Sequence, residues 1–165
     1  GRVDRQRAGD HRRGEHLLLY YSGFLRGQEE QGVFGGAIGL ATMKLDRFVE
    51  QRAGAAPGYL LTKEFLLEGN RLRVNVECQK STNLAAPPRL RVEVLRHPPL
   101  GGHWQFQEAY PGFSLEDCDP LAIDHTSALV TWNGKSDLAA LAGQPVYLRF
   151  ELQNTGLFAF RISRE

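Results

Sequence analysis

The chain has 165 residues, with 20 lysines and arginines against 19 aspartates and glutamates, and its formal net charge of +1 excludes a strongly basic nucleic-acid binder on composition. Hydrophobic residues make up 42% and charged residues 24%, enough to fill one sizeable core and too apolar for disorder throughout. A compact body of 165 residues has a radius of gyration of roughly 15 Å, so one domain with a peripheral tail fits better than two full domains.

Residues 1 to 16 (GRVDRQRAGDHRRGEH) hold Arg2, Arg5, Arg7, Arg12 and Arg13 with little apolar repeat and read as a flexible basic arm. HLLLYYSGF (16 to 24) falls short of the roughly 20 apolar residues that span a membrane, and its aromatic, β-favouring character suits a strand. GQEEQGVFGG (27 to 36) reads as a Gly-rich hairpin connection to a second strand, AIGLATMKL (37 to 45), able to pair with the first. RAGAAPG (52 to 58) breaks the pattern before YLLTKEFLLEG, and EGN (68 to 70) offers a turn. RLRVNVEC then alternates, with Leu72, Val74 and Val76 inward and Arg71, Arg73 and Asn75 outward, and RLRVEVL repeats this with Leu90, Val92 and Val94 inward.

Between residues 97 and 126, four prolines and three glycines make long regular elements scarce. SALVTWNG (127 to 134) resumes strand character, Ser136 is placed to cap a helical turn through DLAALAG, and Gly143 and Pro145 stop it. VYLRFEL and LFAFRIS read as a terminal hairpin joined by QNTG, with Val146, Leu148, Phe150 and Leu152 facing the same core as Phe158, Phe160 and Ile162. No amphipathic helix of ten residues is present to cover a parallel sheet. The expected fold is therefore all-β, a two-sheet antiparallel β-sandwich, with a small closed barrel as the competing architecture.

The runs AIGLATMKLDRFV, LLTKEFLLEGNRLRVNV, GFSLEDCDP and DLAALAGQPVYLRFELQNTGLFAF resemble the C-terminal jelly-roll-like sandwich domain that follows the propeller in bacterial glycoside-hydrolase-like proteins, over residues 17 to 163. Beyond the basic arm at 1 to 16, the resemblance implies a propeller-edge strand and loop at 17 to 36 that packs onto the rest, and a sandwich module at 37 to 165. It further implies a non-catalytic ancillary module of a carbohydrate-active, secreted protein, with a glycan, a propeller domain or a second copy as partner. A packing or oligomerisation domain without ligand is one alternative, and a fragment of a glycoside hydrolase is another. The repeated blades that carry catalysis in such proteins do not fit beside this sandwich in 165 residues, so no catalytic residue is expected. Neither nucleic acid nor a membrane is an expected partner, and the segment reads as soluble with its compartment unassigned.

Trp104, Phe106 and Tyr110, with Trp132 and Asn133, are the candidate carbohydrate-binding residues: rings lie against the apolar faces of sugars while neighbouring amides meet hydroxyls. The competing reading places such rings in the core. Glu116, Asp117, Asp119 and Asp124 supply the hard oxygen ligands that calcium prefers, though no EF-hand spacing is present and turn carboxylates commonly cap backbone donors. No cofactor is required. Glycosidase chemistry by the same acids needs a carboxyl pair at a set separation, which adjacent Glu116 and Asp117 do not supply by spacing. Cys78 and Cys118 allow one disulfide or two free thiols, and without a CxxC pair a zinc site with His103 or His125 is poorly supported. Ser114, Ser127 and Ser136 lack a nucleophile elbow, and GVFGGAIG lacks the phosphate-binding spacing.

Overall fold

A computed structural model describes residues 11 to 24, 36 to 79, 84 to 97 and 107 to 164. Among them, strands run in the order β1 (His11–Arg13), β2 (His16–Phe24), β3 (Gly36–Lys44), β4 (Gln51–Ala53), β5 (Gly58–Leu61), β6 (Phe65–Leu66), β7 (Arg71–Cys78), β8 (Arg89–Arg96), β9 (Glu108–Ala109), β10 (His125–Leu129), β11 (Pro145–Gln153) and β12 (Thr155–Ser163). A 3-10 turn, Ala139–Leu141, is the one helical element of these residues, and no helix among them is long and apolar enough to cross a membrane. The protein is all-β, and the pairings between its strands are antiparallel.

The chain forms two compact units, Gly1–Leu45 and Asp46–Glu165. In the first, the sheet order is β1-β2-β3. β2 and β3 pair without interruption from His16 opposite Lys44 to Phe24 opposite Gly36, as the two apolar runs suggest. Most of the Gly-rich connection between them lies outside the described residues. β1 falls inside the stretch read as an arm, paired with β2 across a turn in which Gly14 takes φ 61°. Residues 37 to 44 pair with β2 within this unit.

The second unit holds two sheets, ordered β10-β7-β12-β4 and β5-β11-β8-β9, with β6 on the side of β11. The period of two in the sequence sets which side chains meet: Leu72, Val74 and Val76 of β7 and Leu90, Val92 and Val94 of β8 are buried. They join Val146, Leu148, Phe150 and Leu152 of β11 in one core cluster that draws on both sheets. At about 25 cal/mol per Å² of apolar surface, this shared interior is the main stabilising term.

Three local readings change. β11 and β12 do not form a hairpin: β11 lies between β5 and β8, and β12 lies between β7 and β4 in the other sheet. Asn154, at φ 46°, turns the chain from one sheet to the other. Its N–H donates to Gly54 O at 2.8 Å and its side-chain amide to Ala86 O at 2.7 Å, holding a left-handed residue that Asn tolerates. A bulge between Leu157 and Ala159 then shifts the phase of β12. Phe160 reaches the Phe150 ring on the core side at 5.4 Å, whereas Phe158, expected inward, lies against the Arg47 guanidinium at 4.7 Å. Finally, Ser136 does not cap the 3-10 turn: Leu138 stands at its N-cap, and the Asp137 carboxylate just before it accepts from Ala139 N–H at 3.1 Å.

Candidate ligand-binding face

Trp104, Phe106 and His103 lie outside the described residues. Tyr110 is half-buried against the core, with its N–H donating to Val94 O at 2.9 Å and the Arg96 guanidinium 5.3 Å from its ring. Trp132 is 2% exposed. Its indole meets the Phe113 ring edge to face at 5.3 Å. Asn133 is exposed in a left-handed turn at φ 49°, and its Nδ2 donates to Asp117 Oδ1 at 3.0 Å. Of the described members of the set, Trp132 packs inward, Tyr110 is half-buried and Asn133 is exposed.

The acidic loop is stitched to itself. Asp117 accepts from Ser114 Oγ at 2.8 Å, from Ser114 N–H at 3.2 Å and from Asn133, and these bonds hold its carboxyl below the usual range. Asp119 accepts from Thr131 Oγ1 at 2.6 Å and Gly134 N–H at 2.8 Å, with the same consequence. Asp124 instead pairs with Arg47 at 2.7 Å, and Glu116 is exposed. Among the described residues, no three His, Cys, Asp or Glu side chains converge as a metal would require. Cys78 and Cys118 are free buried thiols. Burial pushes Cys118 up to about 11 and raises Cys78 as well. His125 Nδ1 is occupied by the Ser127 N–H at 2.9 Å.

A different group of side chains meets on the outer face of the five-stranded sheet. In β11 the residues between the buried ones, Tyr147, Arg149 and Glu151, point away from the core, and register fixes their neighbours. Tyr59 and Arg91 flank Glu151, while Leu61 and Glu93 flank Arg149. Glu151, 3% exposed, accepts from Arg91 Nη2 at 2.9 Å and Tyr59 OH at 3.2 Å and is ion-paired with Arg89 at 3.2 Å. Arg149 Nε pairs with Glu93. Burial raises the Glu93 carboxyl, opposed by Arg149 and by a bond from the Leu115 backbone. Over this lattice the Tyr59 ring is 62% exposed, with the Arg149 guanidinium 5.9 Å from its centre.

The face thus offers an open ring fixed by a buried carboxylate, beside a partly exposed guanidinium. Alternating signs in RLRVEVL and VYLRFEL hint at a charged outer row. What sequence leaves out is the register that sets Tyr59 beside Glu151, 92 positions away. No family model, no curated protein and no solved structure matches the chain.

Proposed function

We propose that the chain is a non-catalytic ancillary module of a carbohydrate-active protein, its second unit a jelly-roll-like sandwich that holds glycan on the outer face of β5, β11 and β8. Tyr59 carries this reading. Its ring is exposed, yet its hydroxyl is bonded to a buried carboxylate, so little ordering entropy is lost when a sugar stacks on it. Glu151 and Glu93 are both committed to arginines, which suits a scaffold better than acid–base work. A second reading, a packing module for a propeller domain or a second copy, is favoured by Tyr20, Tyr21, Ile38 and Leu40, all exposed in the first unit. Affinity electrophoresis of the full chain against a glycan panel, with and without calcium, tests the first reading. Retention that disappears in Tyr59→Ala, at unchanged thermal midpoint, supports it; no retention on any glycan in either condition overturns it.

A further inference from the structure

We infer that Asn133 is a site of spontaneous modification, deamidation through attack by the Gly134 backbone nitrogen, and that Asp117 and Asp119 latch this site shut in the folded protein. Asn133 and Gly134 form the tip of a two-residue turn. Trp132 and Lys135 exchange both backbone bonds across it, at 2.7 and 2.9 Å, and the two central residues take φ 49° and 75°. Asn-Gly is a favoured pair for such a turn because both positions need positive φ. Both residues are exposed. In an open chain the same pair is reactive, since glycine puts no side chain beside its own nitrogen.

The reaction needs only water. The Gly134 nitrogen gives up its proton to solvent hydroxide and bonds to Asn133 Cγ. The bond from Cγ to Nδ2 breaks, and that nitrogen takes up a proton and leaves as ammonia. Water then opens either carbonyl of the succinimide ring, leaving aspartate or isoaspartate at the position. No oxidant or reductant takes part.

Both partners in this step are held elsewhere by the acidic loop. Gly134 N–H donates to Asp119 Oδ2 at 2.8 Å. A carboxylate held below the ordinary 3.8 is too weak a base to take the amide proton, and its charge opposes the amide anion that must form. Asn133 Nδ2 donates to Asp117 Oδ1 at 3.0 Å, and Asn133 N–H donates to the Asp117 carbonyl at 2.8 Å. The attacking nitrogen is thus tied to one aspartate and the side chain it attacks to the other. Each aspartate is fixed in turn, Asp117 by Ser114 Oγ at 2.8 Å and Asp119 by Thr131 Oγ1 at 2.6 Å. The modified turn cannot close the latch again: aspartate at the position sets a carboxylate against Asp117, and isoaspartate lengthens the backbone by a methylene.

The test incubates the full chain in neutral buffer and follows conversion at position 133 by peptide mass spectrometry. Wild type, Asp119→Ala and Gly69→Ala are compared with the chain held unfolded in urea, and circular dichroism checks that each variant is folded. Gly69→Ala puts a Cβ against Ser163 O, so it weakens the fold without touching the turn. The expected order is a slow native chain and a fast unfolded one, with folded Asp119→Ala about tenfold faster than native wild type, the effect of losing one charge-assisted bond. Gly69→Ala should stay near the native rate. Should Asp119→Ala not fold, Thr131→Val, which frees the Asp119 carboxylate, takes its place with the same direction expected. An unfolded chain that keeps Asn133 intact overturns the site. A native chain as fast as the unfolded one, a loop variant no faster than wild type, or Gly69→Ala as fast as the loop variant overturns the latch.

Discussion

The indole N–H of Trp132 donates to the backbone carbonyl of Val92 at 2.8 Å, fixing the end of the loop that follows β10 to the middle of β8. Trp132→Phe keeps a ring against Phe113 but removes this buried bond, and the unfolding free energy should fall by about 2 kcal/mol in urea titrations. Glycan retention by the folded fraction should not change, because the ring faces the interior.

Arg47 gathers partners on the outer side of the four-stranded sheet. Its guanidinium donates to Asn75 Oδ1 at 2.9 Å, Val76 O at 3.1 Å, Glu77 at 3.2 Å and Asp124 at 2.7 Å, with the Phe158 ring against it. Arg47→Ala strips these acceptors of their common donor and should cost about 3 to 5 kcal/mol, read by chemical denaturation. Arg47→Lys should recover only part of that loss, since one ammonium cannot reach four separate acceptors.

Both thiols are buried, and burial holds them protonated at neutral pH. The native protein should be inert to Ellman's reagent at pH 7.5, and denaturation should release both cysteines at once. A thiol that reacts at native rates shows that its site is open.

Acid stability should carry two opposing slopes. Asp117, Asp119 and Asp137 have folded pKa values below their ordinary 3.8, so the unfolded chain binds more protons just under that value. Their stabilisation is present above pH 3.8 and is lost as pH falls through the folded values. Glu93 has the opposite sign. Its raised value means that its contribution is present below 4.5 and is lost as pH rises through the folded value. Denaturation midpoints against pH should show Asp119→Asn flattening the acid limb and Glu93→Gln flattening the slope above 4.5.

Gly69 leaves no room for a methyl group. A Cβ there meets Ser163 O at 2.5 Å and Ile162 Cγ2 at 2.6 Å, so Gly69→Ala should lower the thermal midpoint by an amount equivalent to about 1 to 3 kcal/mol.

The β architecture and much of the core are legible in alternation, because Leu72, Val74, Val76 and their counterparts on β8 and β11 repeat with the period of a strand. The pairing of β2 with β3 is legible for the same reason. Alternation cannot say which strands share a sheet. QNTG suits a hairpin as well as a corner, and the bulge beyond Leu157, which leaves Phe158 against Arg47 while Phe160 stays on the core side, has no sequence marker. The loops around Tyr110 and Trp132 are dense in rings, yet Trp132 packs inward and Tyr110 is half-buried. Tyr59 stands alone in YLLTK, and only long-range register surrounds it with charge.

The corner at Asn154 also dictates when the second unit can close. It leads from an interior strand of one sheet straight into an interior strand of the other. During synthesis, β7 and β8 emerge without the interior neighbours that pair with them until residues 145 to 163 follow. Neither sheet can be completed domain-half by domain-half on the ribosome, and both close together around the last two strands, a late step dominated by distant contacts.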